Sequence, residues 1–298
     1  MIPVTVEGEP ENVLEDAKHT LFVEGENDES FDVKVLEELF DFQITVKPLG
    51  PSYSLKSVAT ALHPHHPDYY FLIDRDPHHS DEEVAKCWSN FPDPFSHNLL
   101  IWRRREIENY FLDPSYLMHS SFCRTDEAGL AKKLLQLANQ RLYLDAANHV
   151  IVAIREAQKH DWIKLFTEPK DFTSAGFALE KLKNRSEFSQ RLANVETSVS
   201  IGELERLLNG FLQQMTGGQD KLTLSHGKWI DMIQGKAVLA QMVNSSAFAV
   251  KTNAGESLRG PQKTREIVRD LLRQGAQIEQ PKDFLELKTL VLKRIQAS

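Results

Sequence analysis

Along the first third of the chain, short apolar runs alternate with amphipathic stretches. Thr20–Val23 reads as a strand that stops abruptly at Glu24-Gly25, and Phe42–Val46 as a second one, closed by Pro48-Leu49-Gly50-Pro51. Tyr69–Ile73 is the clearest strand, and Leu99–Trp102 is a further one. Helical spacing falls between them. Phe31–Phe40 places Val33, Leu36, Leu39 and Phe40 on one face behind a Ser30 cap, and Ser54–Leu62 and Asp81–Trp88 follow. This regular alternation predicts an α/β core with a mostly parallel sheet covered on both faces.

The pattern changes near residues 115–127. Glu127–Lys159 is rich in Leu, Ala, Lys and Gln with few breakers, and predicts one long helix. Val150–Ile154 is apolar enough for a strand, but its surroundings favour helix. Gly176–Lys183, Ile201–Gln214, Trp229–Val243, Thr264–Arg273 and Asp283–Ile295 also read as helices. The expected organisation is an α/β core over residues 1–118 and a mainly α-helical part over 119–298, with no repeat and no low-complexity linker.

Composition narrows the setting. The 298 residues are 41% hydrophobic and 26% charged, so a packed core is expected and disorder is not. No apolar run approaches the roughly 20 residues that span a bilayer. Met1–Glu15 lacks the basic start and apolar stretch of a secretory signal. Cys87 and Cys123 form neither a CxxC pair nor a disulfide framework, and nothing marks either as a nucleophile. Together these predict a soluble protein of a reducing cytoplasm. The net charge of −8 argues against constitutive nucleic-acid binding, so any basic surface must be local or supplied by a partner.

The candidate chemistry lies in two acidic motifs at strand ends, Val23-Glu24-Gly25-Glu26-Asn27-Asp28 and Ile73-Asp74-Arg75-Asp76. Alone, a Glu-Gly after a strand is ordinarily a turn, and a DxD a solvated loop. In a parallel sheet, however, ligands bind outside the carboxyl ends of the strands. If the two strands are neighbours, Glu24, Asp28, Asp74 and Asp76 converge. Converging carboxylates raise one another's pKa unless a cation joins them, and Mg²⁺ suits an all-oxygen site that keeps waters for a phosphate. Glu26 ranks below Glu24, which stands directly at the strand end.

The strand followed by Glu-Gly-x-x-Asp, then the strand with Asp-x-Asp, resembles the Toprim family of topoisomerases, primases and overcoming-lysogenisation-defect nucleases. Two more elements resemble the nuclease branch and its stand-alone DUF4435 relatives: Arg105-Glu106-Ile107-Glu108-Asn109-Tyr110-Phe111-Leu112-Asp113-Pro114, and Trp229-Ile230-Asp231 with the later Gly235-Lys236. The resemblance covers roughly residues 15–115 plus the later patch. It implies a Toprim (Rossmann-like) core. Glu24 would be ligand and general base, Asp28, Asp74 and Asp76 would complete coordination of one or two Mg²⁺, and Lys236 would neutralise phosphate charge. Of Glu106 and Glu108, about 200° apart on a helix, Glu108 is preferred as the additional carboxylate.

No GxxxxGK[ST] loop follows any strand, so no ATPase is expected on the chain. Stand-alone Toprim/DUF4435 effectors of the AriB type, from the PARIS anti-phage system, are restrained by an ABC-type ATPase partner of the AriA type. By that resemblance the released effector would form a homodimer and cleave host tRNA. A DNA endonuclease with the same metal site and a non-catalytic regulatory or scaffold subunit are the competing readings.

Two weaker signals stay open. Arg103-Arg104-Arg105 reads equally as a phosphate grip or as a salt-bridged helix start. His63, His65, His66, His78 and His79 read as surface histidines near the substrate path in preference to a zinc site, since their spacing fits no closed set.

Overall fold

The computed structural model describes residues 19–63, 65–93, 98–158, 174–252, 254–275 and 277–297. Four strands, β1 (Thr20–Val23), β2 (Thr45–Pro48), β3 (Tyr69–Ile73) and β4 (Leu99–Ile101), form one all-parallel sheet in the order β2-β1-β3-β4. Helices α1 (Phe31–Leu39), α2 (Ser52–Leu62) and α3 (Asp81–Asn90) connect them. β1, β3 and β4 are buried throughout, as expected of parallel strands covered on both faces, whereas edge strand β2 buries only Val46. The core is therefore α/β and Rossmann-like, followed by a mainly helical remainder.

The chain runs out from β1 to β2 and returns past β1 to β3. The strand order thus reverses between β1 and β3, which opens a crevice at their carboxyl ends. Beyond β4 come a 3₁₀ helix (Ile107–Phe111), α4 (Pro114–Leu117) and α5 (Glu127–Gln158). The remaining helices are α6 (Ala175–Lys183), α7 (Ser186–Ser198), α8 (Ile201–Thr216), α9 (Trp229–Met232), α10 (Gly235–Asn244), α11 (Gly260–Arg273) and α12 (Lys282–Ala297).

Three details differ from the hydrophobic pattern. The strand expected at Phe42–Val46 begins only at Thr45, because Asp41 and Phe42 adopt left-handed φ values of 51° and 57°, a turn no strand can include. The helix expected over Trp229–Val243 is split into α9 and α10, with Gln234 extended between them. Helix α7 was not anticipated, although Phe188, Leu192 and Val195 fall at helical spacing; none of its described residues is buried.

The chain divides into two compact units, one of Met1–Leu137 with Ile233–Ser298, the other of Ala138–Met232. The change of pattern near residue 119 thus falls inside the first unit, and its C-terminal helices rejoin the α/β core. There α10 packs on the 3₁₀ helix and α11 on α1. In the second unit, His149 Nε2 meets Met232 O at 2.9 Å and its ring stacks on Phe211, while buried Asp145 receives both donors of Arg141 at 3.1 Å. No helix among the described residues is long and apolar enough to cross a membrane.

Candidate metal centre

β1 and β3 are direct neighbours, with Val23 opposite Leu72. Glu24 and Asp74 therefore leave adjacent strands on the same side of the crevice, and Asp74 N–H donates to Glu24 Oε1 at 3.0 Å. Gly25 then turns the chain sharply at φ 155°. A Cβ there would sit 2.5 Å from Ser30 Oγ and 3.3 Å from Pro48 Cβ, so only glycine brings α1 this close to the end of β1. Asp32, in the first turn of α1, is carried to the crevice by that turn.

The far wall comes from the segment after β4. Glu106 caps the 3₁₀ helix in a reciprocal box with Asn109, and Glu108 is buried in its first turn. Glu106 Oε2 also accepts the backbone N–H of Lys236 at 2.8 Å, which fixes the start of α10 beside the acids.

The electrostatics show how closely these groups face one another. Burial pushes the Asp74 carboxyl well above the usual carboxylate range, with further repulsion from Asp32, Glu24, Glu108 and Glu106. Asp32 is raised to about 7, first by burial and then by Glu24, with Lys236 pulling it back down and Glu106 adding to the rise. Glu108 is raised to about 8 by burial, Asp32 and Glu106, and Lys236 again opposes the shift. Asp32 and Asp74 keep partial exposure at the crevice mouth, although protein surrounds them densely. Five carboxylates and one lysine thus form a single electrostatic unit.

One atom bears directly on a cation. Asp74 Oδ1 is buried and has no hydrogen-bond partner, while the charges acting on it are other carboxylates. A buried carboxylate oxygen without a donor is costly. A hard divalent ion would satisfy it, with oxygen ligands drawn from the neighbouring acids, although among the described residues no three of Glu24, Asp32, Asp74 and Glu108 bring ligand oxygens within 4.8 Å of one another in this structure.

The expected residues separate into two groups. Glu24 and Glu108 both act on Asp74, and Lys236 acts on Glu108, so these four lie near one another. Neither Asp28 nor Asp76 is among the principal charges acting on Asp32, Asp74 and Glu108. Asp28 is exposed in the turn before α1, and Asp32 supplies the carboxylate from that side. Asp76 groups with His78 and His79, their potential ligand atoms lying within 4.8 Å of one another. Both ring nitrogens of His79 are already engaged, Nδ1 by Asp76 N–H at 3.1 Å and Nε2 by Lys56 Nζ at 2.7 Å. Burial and the Lys56 charge hold that imidazole down to about 3, hence neutral. His79 thus anchors the loop at Asp76, and coordination by His79 would require one of those contacts to break. Glu106, ranked below Glu108, faces the same cluster: it caps the 3₁₀ helix from outside, so helical spacing does not turn it away.

The arginine run is used internally. Arg103 bridges Asp283 at 2.6 Å and Glu286 at 2.8 Å on α12 and lies over the Trp88 ring. Arg104 donates to Asn109 O at 2.8 Å, and Arg105 Nε stands 4.0 Å from Glu106. These contacts favour the salt-bridged reading over a phosphate grip. The Cys87 thiol is pushed up by burial, which suits a packing residue and not a nucleophile.

No family model, curated protein or solved structure matches the chain.

Proposed function

We propose that the chain is a Mg²⁺-dependent Toprim-type phosphodiester hydrolase acting as an endonuclease. The observation that carries this reading is the partnerless Asp74 Oδ1 within a carboxylate cluster at the β1/β3 crevice. Glu24, Asp32, Asp74 and Glu108 would hold the ion, and Glu24, at the strand end, would take a proton from an attacking water. Bound there, Mg²⁺ supplies a nucleophilic water and neutralises phosphate charge. Lys236 would neutralise charge on a bound phosphate, and Glu106 fixes its backbone.

The biological assignment rests on the sequence motifs. It makes the chain an anti-phage effector held inactive by an AriA-like ABC-type ATPase partner, dimerising on release and cleaving host tRNA. Incubating the folded chain with Mg²⁺ and either total tRNA or duplex DNA, then sequencing the ends produced, tests it. Cleavage of tRNA and its loss in Glu24→Gln are expected. DNA cleavage instead would keep the chemistry and reassign the substrate, and no cleavage of either by folded protein would end the hydrolase reading.

A further inference from the structure

We propose that Asn109 is a positioning residue, clamping the 3₁₀ helix to the start of α10 and so setting where Lys236 meets the carboxylates. The inference rests on the reading of the crevice as a metal-dependent site, but its own evidence is separate. Asn109 is completely buried. Its Nδ2 donates to Ile233 O at 2.9 Å and its Oδ1 accepts from Glu106 N–H at 3.1 Å, so one amide joins the segment before α10 to the residue that caps the 3₁₀ helix. Glu106 closes the loop by accepting from Lys236 N–H.

Gly235 completes the clamp from the other side. A Cβ on it would lie 2.6 Å from Asn109 Cγ and 2.8 Å from Asn109 N, closer than real atoms approach. The glycine next to the lysine is thus a requirement of backbone approach: any larger residue would push α10, and Lys236 with it, away from the acids. An aliphatic side chain at 109 would leave Ile233 O and Glu106 N–H without partners inside the protein. Asparagine is suited to this place because it offers a donor and an acceptor in opposite directions. Lys236 acts on both Asp32 and Glu108, so a shift at its backbone alters the charge balance of the whole centre.

The test pairs Asn109→Ala and Gly235→Ala with Lys236→Ala, singly and doubly, each checked for folding by thermal melting. Two readouts are needed: Mn²⁺ affinity by titration of the metal alone, and cleavage of a tRNA substrate. Removing the Lys236 charge is expected to tighten Mn²⁺ binding roughly threefold to tenfold, because a nearby positive charge repels the ion. Asn109→Ala and Gly235→Ala should shift affinity in the same direction and lower kcat by about tenfold to a hundredfold. On the Lys236→Ala background both effects should vanish. Fully additive losses, or unchanged Mn²⁺ affinity in Asn109→Ala and Gly235→Ala, would overturn the clamp. If the wild type cleaves nothing while the Mn²⁺ shifts follow this pattern, the hydrolase reading falls and the clamp stands.

Discussion

Asp32 lies just past the Ser30 cap, between Phe31 and Val33. In that position an acid ordinarily serves the helix dipole, and the sequence offers no reason to read it otherwise. Asp28, at the spacing of the motif, draws attention away from it. Only the sharp turn at Gly25, which depends on contact with Ser30 and Pro48, shows that the helix start faces the crevice. Asp32→Asn is therefore expected to lower cleavage by about a hundredfold, whereas Asp28→Asn stays near wild type in the same assay. Because Asp32 is buried and repelled by Glu24 and Glu106, Asp32→Asn should also raise the melting temperature of the metal-free protein when it is measured above pH 7, where Asp32 is ionised. A lower melting temperature in Asp32→Asn would contradict the electrostatic account. Glu24 and Asp74 were readable from their places directly behind apolar strands, while Glu106 was ranked below Glu108 on helical spacing, which a capping residue does not follow.

At the level of elements, the alternating core was legible because parallel strands buried on both faces leave continuous apolar blocks. The break between α9 and α10 was not, since it is set by a partner distant in sequence, the amide of Asn109. The same limit applies to α12, an ordinary amphipathic helix in sequence that proves to be the brace for β4. Buried Tyr110 donates its hydroxyl to Asp283 Oδ2 at 2.6 Å, and Arg103 binds the other oxygen of the same carboxylate. Asp283→Ala should cost about 1–3 kcal/mol in chemical denaturation, mainly because the buried phenol loses its acceptor. Glu286→Ala, at a more exposed position, should cost well under half as much.

For the whole molecule, the raised carboxyls make stability depend on pH in an unusual direction. Asp32 and Glu108 hold their protons to about 7 and about 8 in the folded chain but release them near the ordinary carboxylate range when unfolded. Between those limits the folded state binds more protons, so the metal-free protein loses stability as pH rises from about 4.5 to about 8. A divalent cation binds the deprotonated acids and offsets that loss. The melting-temperature gain on adding Mg²⁺ should accordingly be larger near pH 8 than near pH 6, and a gain independent of pH would separate the cation from this cluster.

The order in which the centre's parts appear along the chain carries a consequence for synthesis. Glu24, Asp32, Asp74, Glu106 and Glu108 leave the ribosome early, whereas Lys236 and the helix that seats it are made more than a hundred residues later. A product of premature termination within that interval holds the acids and Asn109 without Lys236 and the helix that seats it. On the proposed reading such a product would lack the positive charge that acts on Asp32 and Glu108, so the centre would be complete only once synthesis has passed Lys236.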